Sequence, residues 1–200
     1  MIRKALLASL CVLGLAPALA AAQSQLPLQV RLRALYMDVD NSNHPDFAGG
    51  PVHANSKFFP ELDLSWYFTK NISAELVLTY PQKHTITLDG TNIGSIKHLP
   101  PTLLGQWHFL PGQQIDPYVG AGINYTHFSS VNLPSGVDIG RNSVGPALQV
   151  GSDFNLNRNW SLNLDVKYVW ISTDVTANGT KLTTLHVDPW LLSVGVGYRF

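Results

Sequence analysis

Trp190-Leu191-Leu192-Ser193-Val194-Gly195-Val196-Gly197-Tyr198-Arg199-Phe200 is the stretch of sequence that decides the fold. Every second residue, beginning with Trp190, is apolar, and the residues between them are mostly small or polar. This period of two is typical of a β-strand with one apolar and one polar face. Aromatic rings at both ends of an uncovered apolar face would promote aggregation of a soluble protein. We therefore predict a strand whose apolar face contacts lipid.

The segment from Trp160 to Trp170 repeats the pattern. Its even-numbered residues are all apolar, and aromatic residues again stand at both ends. A strand of this length spans about 33 Å at ~3.3 Å per residue. Tilted by about 40°, it would rise about 25 Å, the height of the apolar band of an outer-membrane barrel. The alternative is a long strand in a soluble sandwich.

Six further segments alternate less strictly, which brings the number of predicted strands to eight. They are residues 28–37, 57–68, 72–80, 99–109, 118–128 and 144–154. The connections alternate between short (69–71, 110–116, 157–159) and long (38–56, 81–95, 129–141, 172–184). Short turns at one rim and long loops at the other are typical of bacterial outer-membrane barrels. We predict an all-β fold, an eight-stranded antiparallel transmembrane β-barrel with periplasmic termini and long extracellular loops.

Composition narrows the class of protein. Charged residues make up 13% of the chain, against about 25% in soluble domains. No apolar run long enough for a spanning helix follows the N-terminal region, and only helices and closed barrels satisfy the backbone in lipid. The formal charge is zero, so nucleic-acid binding is not expected. The one cysteine, Cys11, and the scattered histidines have no metal-ligand spacing, so we expect neither metal nor cofactor.

The N-terminal region has the pattern of an export signal. Two basic residues precede the apolar run Ala5–Leu15, and small residues then allow cleavage after Ala20 or Ala22. The run is too short to span a membrane as a helix. We predict a cleaved secretory signal peptide at 1–22, followed by a single domain, the outer-membrane β-barrel, at 23–200. The alternative is a buried N-terminal helix.

Alternation alone does not decide which face of the strands points outward, because lipocalin-like soluble barrels also alternate. The apolar face is bulky and ends in aromatic residues, as a lipid-facing band should. The opposite face carries Gly120, Gly122, Gly195 and Gly197 together with scattered charges, which suits a narrow lumen. We predict that the apolar face points to lipid.

Three motifs carry a resemblance to a known family. They are Lys97-His98-Leu99-Pro100-Pro101-Thr102, Pro117-Tyr118-Val119-Gly120-Ala121-Gly122-Ile123-Asn124-Tyr125-Thr126, and Asp188-Pro189-Trp190 with Gly197-Tyr198-Arg199-Phe200. In this order they resemble the outer-membrane protein W family, over essentially the whole mature chain. The resemblance implies an eight-stranded barrel in the Gram-negative outer membrane that passes small hydrophobic molecules, with an alkane-uptake branch and several phage or colicin receptors.

The terminal strand also looks like the signal that the barrel-assembly machinery reads, carried by Trp190, Tyr198 and Phe200. The partners we expect are therefore this machinery during biogenesis, outer-membrane lipid and lipopolysaccharide, and small hydrophobic solutes.

Eight strands leave a lumen only just wide enough for side chains, so a wide aqueous pore is excluded. Charges of both signs on the inward face predict a charge plug: Arg31, Arg33, Glu61, Asp63, Glu75, Asp165, Lys167 and Arg199. This plug is either structural filling or part of a transport path. Toward the long loops the inward residues become apolar: Leu35, Met37, Phe59, Val77, Leu104, Phe128 and Val169. They form either ordinary packing or a hydrophobic funnel for a ligand.

Prolines lie toward the loop end of three consecutive strands: Pro60, Pro81, Pro100 and Pro101. Proline cannot donate a hydrogen bond to the ladder, so it is normally confined to edges or bulges. We hypothesise a lateral seam that opens and releases a solute into the outer membrane. Harmless bulges are the alternative.

The resulting functional prediction is a passive conduit for small hydrophobic molecules. The alternative is a non-conducting structural or receptor barrel, such as a phage or bacteriocin receptor or a stress-related envelope protein. We expect no enzyme, because no Gly-x-Ser-x-Gly motif accompanies the histidines in or near loops, His44, His53, His84 and His98.

Overall fold

The computed structural model describes residues 27–38, 52–54, 56–88, 91–133 and 135–200. The predicted signal peptide at 1–22 lies outside the described residues. No helix long and apolar enough to cross a membrane occurs in the described part. The described strands are β1 (Leu28–Asp38), β2 (Val52–Ala54), β3 (Lys57–Tyr67), β4 (Ile72–Thr79), β5 (Gln82–Leu88), β6 (Thr91–Leu99), β7 (Thr102–His108), β8 (Ile115–Asn132), β9 (Val137–Ile139), β10 (Asn142–Asn155), β11 (Trp160–Val169), β12 (Ser172–Ala177), β13 (Thr180–His186) and β14 (Trp190–Arg199).

Eight of these strands form a closed antiparallel barrel in the order β10-β11-β14-β1-β3-β4-β7-β8, and β8 pairs with β10 to complete the circle. These eight are the predicted strands, so the predicted fold class is confirmed. The first and last strands are neighbours: Arg31 of β1 lies opposite Gly197 of β14, and on its other side opposite Asp63 of β3. Closure gives every strand of the barrel wall two partners, which removes the free edges.

The long connections differ from the prediction, because they contain strands rather than only loops. β5 pairs with β6 on top of the barrel wall, and β9, β12 and β13 form a separate three-stranded sheet. Asn178 and Gly179, with φ of 49° and 80°, connect β12 to β13. An Asn-Gly pair with positive φ at both residues favours a tight hairpin.

The barrel has two rims. The terminal rim contains Leu28, Phe200 and the short turns, and the loop rim lies at the opposite ends of the strands. Aromatic rings mark both on the outer surface. At the terminal rim Tyr198 lies 5.0 Å from Trp160 and 4.8 Å from Phe200, between ring centroids. At the loop rim Trp190 lies 4.9 Å from Tyr168. Such girdles are typical of transmembrane barrels.

Burial settles the direction of the two faces. Leu32 on the outer surface is 56% exposed, whereas Arg31 next to it is 0% exposed. The same contrast holds between exposed Leu62 and buried Asp63. The apolar face of each strand therefore points outward and the charged face points into the lumen, as the sequence predicts and opposite to a soluble barrel.

Candidate functional site: the barrel lumen

Arg31 occupies the half of the lumen near the terminal rim. Its guanidinium forms a two-pronged contact with Asp153, with Nη2 2.6 Å from Oδ2 and Nε 3.2 Å from Oδ1. Nη1 lies 2.9 Å from an oxygen of Glu75 and donates to the hydroxyl of Ser65 at 2.6 Å. Planar guanidinium groups suit this multidentate pairing. Arg31 thereby links three other strands of the barrel across the lumen.

Arg33, one inward position further along β1, contacts two carboxylates on β3. Its Nη1 lies 3.1 Å from Glu61 and 2.8 Å from Asp63. Its Nε donates to the side-chain oxygen of Asn163 at 2.7 Å. Lys167 reaches Glu61 from the opposite side of the lumen at 2.8 Å. Burying an unpaired carboxylate costs roughly several kcal/mol of folding free energy. These contacts pair both carboxylates with cations.

Seven of the eight residues of the predicted charge plug are therefore connected by ion pairs. Arg199 is the exception within the described residues: its guanidinium lies 3.9 Å from the centroid of the Tyr67 ring and forms none of these ion pairs. Its position next to the terminal rim separates it from the acidic side chains deeper in the lumen.

The network also contains residues that the sequence analysis did not select. Asp153 is an acidic member, and Tyr118, Gln149 and Asn163 are neutral members. The Tyr118 hydroxyl donates to Asp165 at 2.8 Å and accepts from Arg33 at 3.1 Å. All four lie on the inward face of their strands, so strict alternation was the signal that could have found them. Together with the charges they fill the barrel cross-section with side chains.

The seven predicted apolar residues lie above this network, toward the loop rim, and none is more than 5% exposed. They form two adjacent clusters. Leu35, Met37 and Phe59 form one cluster, and Val77, Leu104, Phe128 and Val169 belong to the other. Val187 and Leu191 pack against both clusters and connect them. Ile139 and Val175, from the three-stranded sheet, extend the second cluster upward, which the sequence did not indicate.

A cavity opens between the two clusters. Its empty volume, including the part open to solvent, is about 340 Å³. The lining residues are Leu35, Met37, Phe59, Glu61, Val77, Thr79, Pro100, Thr102, Asn124, Val169, Ile171, Pro189 and Leu191. Five of the seven predicted apolar residues are among them, and Leu104 and Phe128 are not. The lining side chains Leu35, Met37, Val77 and Val169 are all buried.

The wall beside the cavity has a break in its hydrogen-bond ladder. β4 pairs with β7 as far as Val77 opposite Thr102, and pairing resumes between β5 and β6 with Gln82 opposite His98. Residues 78–81 on one side and 99–101 on the other form no ladder pairs with each other. Four residues on one side stand against three on the other, so the register shifts by one residue across the break. The unpaired stretch is about 10 Å long at ~3.3 Å per residue.

Backbone contacts of the prolines and their neighbours show which way each proline faces. Tyr125 N donates to Pro101 O, so Pro101 is directed toward β8. The carbonyl oxygen of Pro100 instead accepts from the buried side chains of Thr102 and Asn124, each at 3.2 Å, inside the lumen. Hydrogen-bond alternation along β3 directs Pro60 toward the upper end of β4, and Pro81 lies in the unpaired stretch just beyond β4. Pro81, Pro100 and Pro101 lie within the unpaired stretches and Pro60 lies beside them on β3, while Pro101 is also bonded to β8 through its carbonyl oxygen.

The histidines considered as catalytic candidates do not assemble a site within the described part of the chain. His44 lies outside the described residues, as do the side chains of His53 and His84. His98 is buried with its ring 6.4 Å from that of Phe128. His108, which the sequence analysis did not select, is buried and has a carboxylate partner: its Nδ1 lies 3.0 Å from Asp116.

Comparison with known proteins identifies the family. The OmpW family model matches residues 27–200. The chain belongs to the OmpW family. It is 38% identical to outer membrane protein W of Escherichia coli over 153 residues, which cover 70% of this chain and 71% of that protein. It is 30% identical to the dibenzothiophene metabolism operon protein PahQ of Pseudomonas aeruginosa, over 76% of each chain. The crystal structure of OprG from P. aeruginosa matches with a TM-score of 0.73 and 28% identity, over 88% of this chain and 97% of that one.

OmpW-family membership gives the two rims their orientation and places the barrel in the outer membrane. The terminal rim faces the periplasm and the loop rim faces the outside of the cell. The three residues expected to form the assembly signal are divided between these rims: Tyr198 and Phe200 lie at the periplasmic rim, and Trp190 lies in the outer girdle.

Proposed function

We propose that this barrel is a passive conduit that takes up small hydrophobic molecules from outside the cell and releases them sideways into the outer membrane. The observation that carries the proposal is the combination of an apolar cavity, a charge plug beneath it, and a ladder break beside it. A hydrophobic solute in the cavity would lose its apolar contacts if it crossed the ion pairs of Arg31 and Arg33. Exit through the wall therefore costs less free energy.

The relatives support the class of solute. PahQ is named for a dibenzothiophene metabolism operon, and dibenzothiophene is a flat aromatic compound with little affinity for water. The cavity lining of this chain has the matching character at its outer end, where Leu35, Met37, Phe59 and Leu191 surround the empty space. Burial of apolar surface would provide about 25 cal/mol per Å² for such a solute.

Entry and exit both require movement. Toward the outside, Val187 and Leu191 pack against both apolar clusters. Neither residue belongs to the charge network, so they can rotate without breaking an ion pair. At the wall, opening between β4 and β7 breaks no ladder pair in the gap, since none exists there. The path that we propose therefore leaves the buried charges in place.

Replacing Pro100 tests this path. Pro100→Ala supplies a backbone N–H within the unpaired stretch, which we expect to extend the β4–β7 ladder into the gap and narrow the exit. We expect a several-fold lower uptake of a radiolabelled alkane by intact cells that depend on this barrel for uptake. Pro101→Ala is the matched control, because its new N–H faces β8; uptake should stay near the wild-type rate. Unchanged uptake by Pro100→Ala at equal barrel abundance would contradict lateral release.

A structural or receptor barrel remains the second candidate, and one observation favours it. Among the described residues, the charge network fills the lower part of the lumen and the apolar clusters pack above it, as expected of a barrel that conducts nothing. If deletion of the chain leaves alkane uptake unchanged while it removes binding of a phage or bacteriocin to the cell, this second function replaces the conduit.

A further inference from the structure

The cavity is not uniformly apolar, because two oxygen atoms in its wall lack hydrogen-bond partners. These are Oε2 of Glu61 and Oγ1 of Thr79, and among the described residues neither receives nor donates a hydrogen bond. Both residues line the cavity. The other oxygen of Glu61, Oε1, contacts Arg33 and Lys167 in the charge network, so Oε2 alone remains for a ligand.

The two oxygens belong to neighbouring side chains. Glu61 and Thr79 lie directly opposite each other on β3 and β4, as the last pair of that ladder. Directly opposed residues have Cβ atoms about 4.5–5.5 Å apart. Thr79 also lies two residues beyond Val77, where the β4–β7 ladder ends. The polar end of the cavity is therefore located at the gap in the wall.

The chemistry of these atoms restricts what would bind. A carboxylate oxygen accepts a hydrogen bond, and the threonine hydroxyl both donates and accepts. A pure hydrocarbon leaves both oxygens unsatisfied, and buried polar groups without partners are unfavourable. A ligand with a carboxylate head has no hydrogen to give to Glu61. A neutral head with one O–H group satisfies both atoms.

We propose that the cavity binds small neutral alkanols, with the hydroxyl between Glu61 and Thr79 and the alkyl chain among Leu35, Met37 and Phe59. The inference rests on the proposed conduit and names its class of solute: an amphiphile with a hydrogen-bond donor at one end. The hydroxyl points to the gap in the wall, so the solute would leave with its polar head toward the opening between β4 and β7.

Met37 provides a direct readout. It lines the cavity, and it is the only methionine in the sequence besides Met1. Selective ¹³C labelling of the methionine methyl groups therefore gives a signal from the cavity itself. We would titrate the folded protein in lipid nanodiscs with n-hexanol and with pentyl methyl ether. These two compounds are isomers, and the ether lacks the donor. Hexanoate serves as the acidic analogue. Concentrations are measured in the lipid phase.

We expect the Met37 signal to respond to hexanol at about one tenth of the ether concentration, a ratio equivalent to ~1.4 kcal/mol. Thr79→Val keeps the shape of the side chain and removes the hydroxyl, and it should reduce this preference by about threefold or more, half of that free energy. Ser193→Ala is the control, because it also removes a buried hydroxyl without a partner in the described structure, but one that does not line the cavity.

Equal responses to hexanol and ether in the wild type would overturn the inference. So would an equal loss of preference in Thr79→Val and Ser193→Ala. The proposed conduit fails by a different measurement, the uptake assay with Pro100→Ala. A hexanol preference with unchanged uptake keeps the binding site and rejects the lateral exit, whereas equal binding with reduced uptake rejects the alkanol site alone.

Discussion

At the scale of single residues, the lumen depends on arginines that each join several strands. Arg31 connects Glu75 on β4 with Asp153 on β10, which are 78 residues apart in the sequence. Arg33 is the only residue with a described ion pair to Asp63. Removing one partner of a buried ion pair costs more than the pair itself contributes, since the remaining charge stays buried.

Arg33→Met tests this dependence. We expect the free energy of unfolding to fall by about 3–5 kcal/mol, because Asp63 loses its cation and Glu61 retains only Lys167. The measurement is urea-induced unfolding in lipid vesicles. Arg141→Met is the matched control, since the Arg141–Asp138 pair is about half exposed and exposed pairs contribute about 0–1 kcal/mol. A loss no larger than that of the control would contradict a structural role for the network.

At the scale of strands, close approach between neighbours fixes where glycine is needed. A Cβ atom at Gly122 on β8 would lie 1.9 Å from Leu103 O and 2.7 Å from Leu104 Cα on β7. Both are backbone atoms, so no side chain can move aside. A Cβ at Gly105 would meet its nearest neighbour, Ala121 O, at 3.8 Å, an ordinary contact distance. The two glycines on the same strand pair therefore have different roles.

Gly122→Ala should separate β7 from β8 locally and destabilise the barrel by about 1–3 kcal/mol, the usual range for overpacking. We expect the variant to unfold at a lower urea concentration in vesicles. This prediction does not require the Met37 methyl signal to shift. Gly105→Ala should leave the free energy of unfolding within about 0.5 kcal/mol of the wild type, as surface substitutions do. Equal midpoints for the two variants would show that the β7–β8 backbone adapts.

At the scale of the whole molecule, the last strand closes the barrel. β14 pairs with β11 and with β1, and Phe200 N donates to Leu28 O at the periplasmic rim. Its aromatic residues contact each other on the lipid face. The proposed assembly signal on this strand therefore coincides with the point of closure, so a change there can act on stability or on recognition.

Phe200→Ala separates these two effects. If the aromatic ring serves recognition by the assembly machinery, the variant should be several-fold less abundant in the outer membrane of cells yet insert into lipid vesicles at the wild-type rate when purified. Quantitative immunoblots of outer-membrane fractions and the appearance of folded protein in vesicles are the two readouts. Equal defects in cells and in vesicles would assign Phe200 to barrel stability instead.

Much of this architecture follows from local pattern. Alternation located all eight barrel strands and their inward faces, because side chains on a strand point to opposite sides with a period of exactly two residues. The same rule placed Arg31, Arg33 and Lys167 in the lumen before any contact was known. The outer strands β5, β6, β12 and β13 were missed, since their Gly and Asn residues suggested loops and the tight turns that those residues form were not recognised.

The sequence by itself determined the barrel, the direction of its faces and the apolar region under the loops, since each depends on neighbours along one strand. Only the tertiary structure decided which cation meets which carboxylate, because Arg31 and Asp153 meet through closure of the circle. It also decided that the carbonyl oxygen of Pro101 bonds to β8 whereas that of Pro100 contacts side chains in the lumen. That distinction depends on how two neighbouring strands are paired. Hydrogen-bond direction alternates along a strand, and only the pairing with a neighbour decides which residues point toward it.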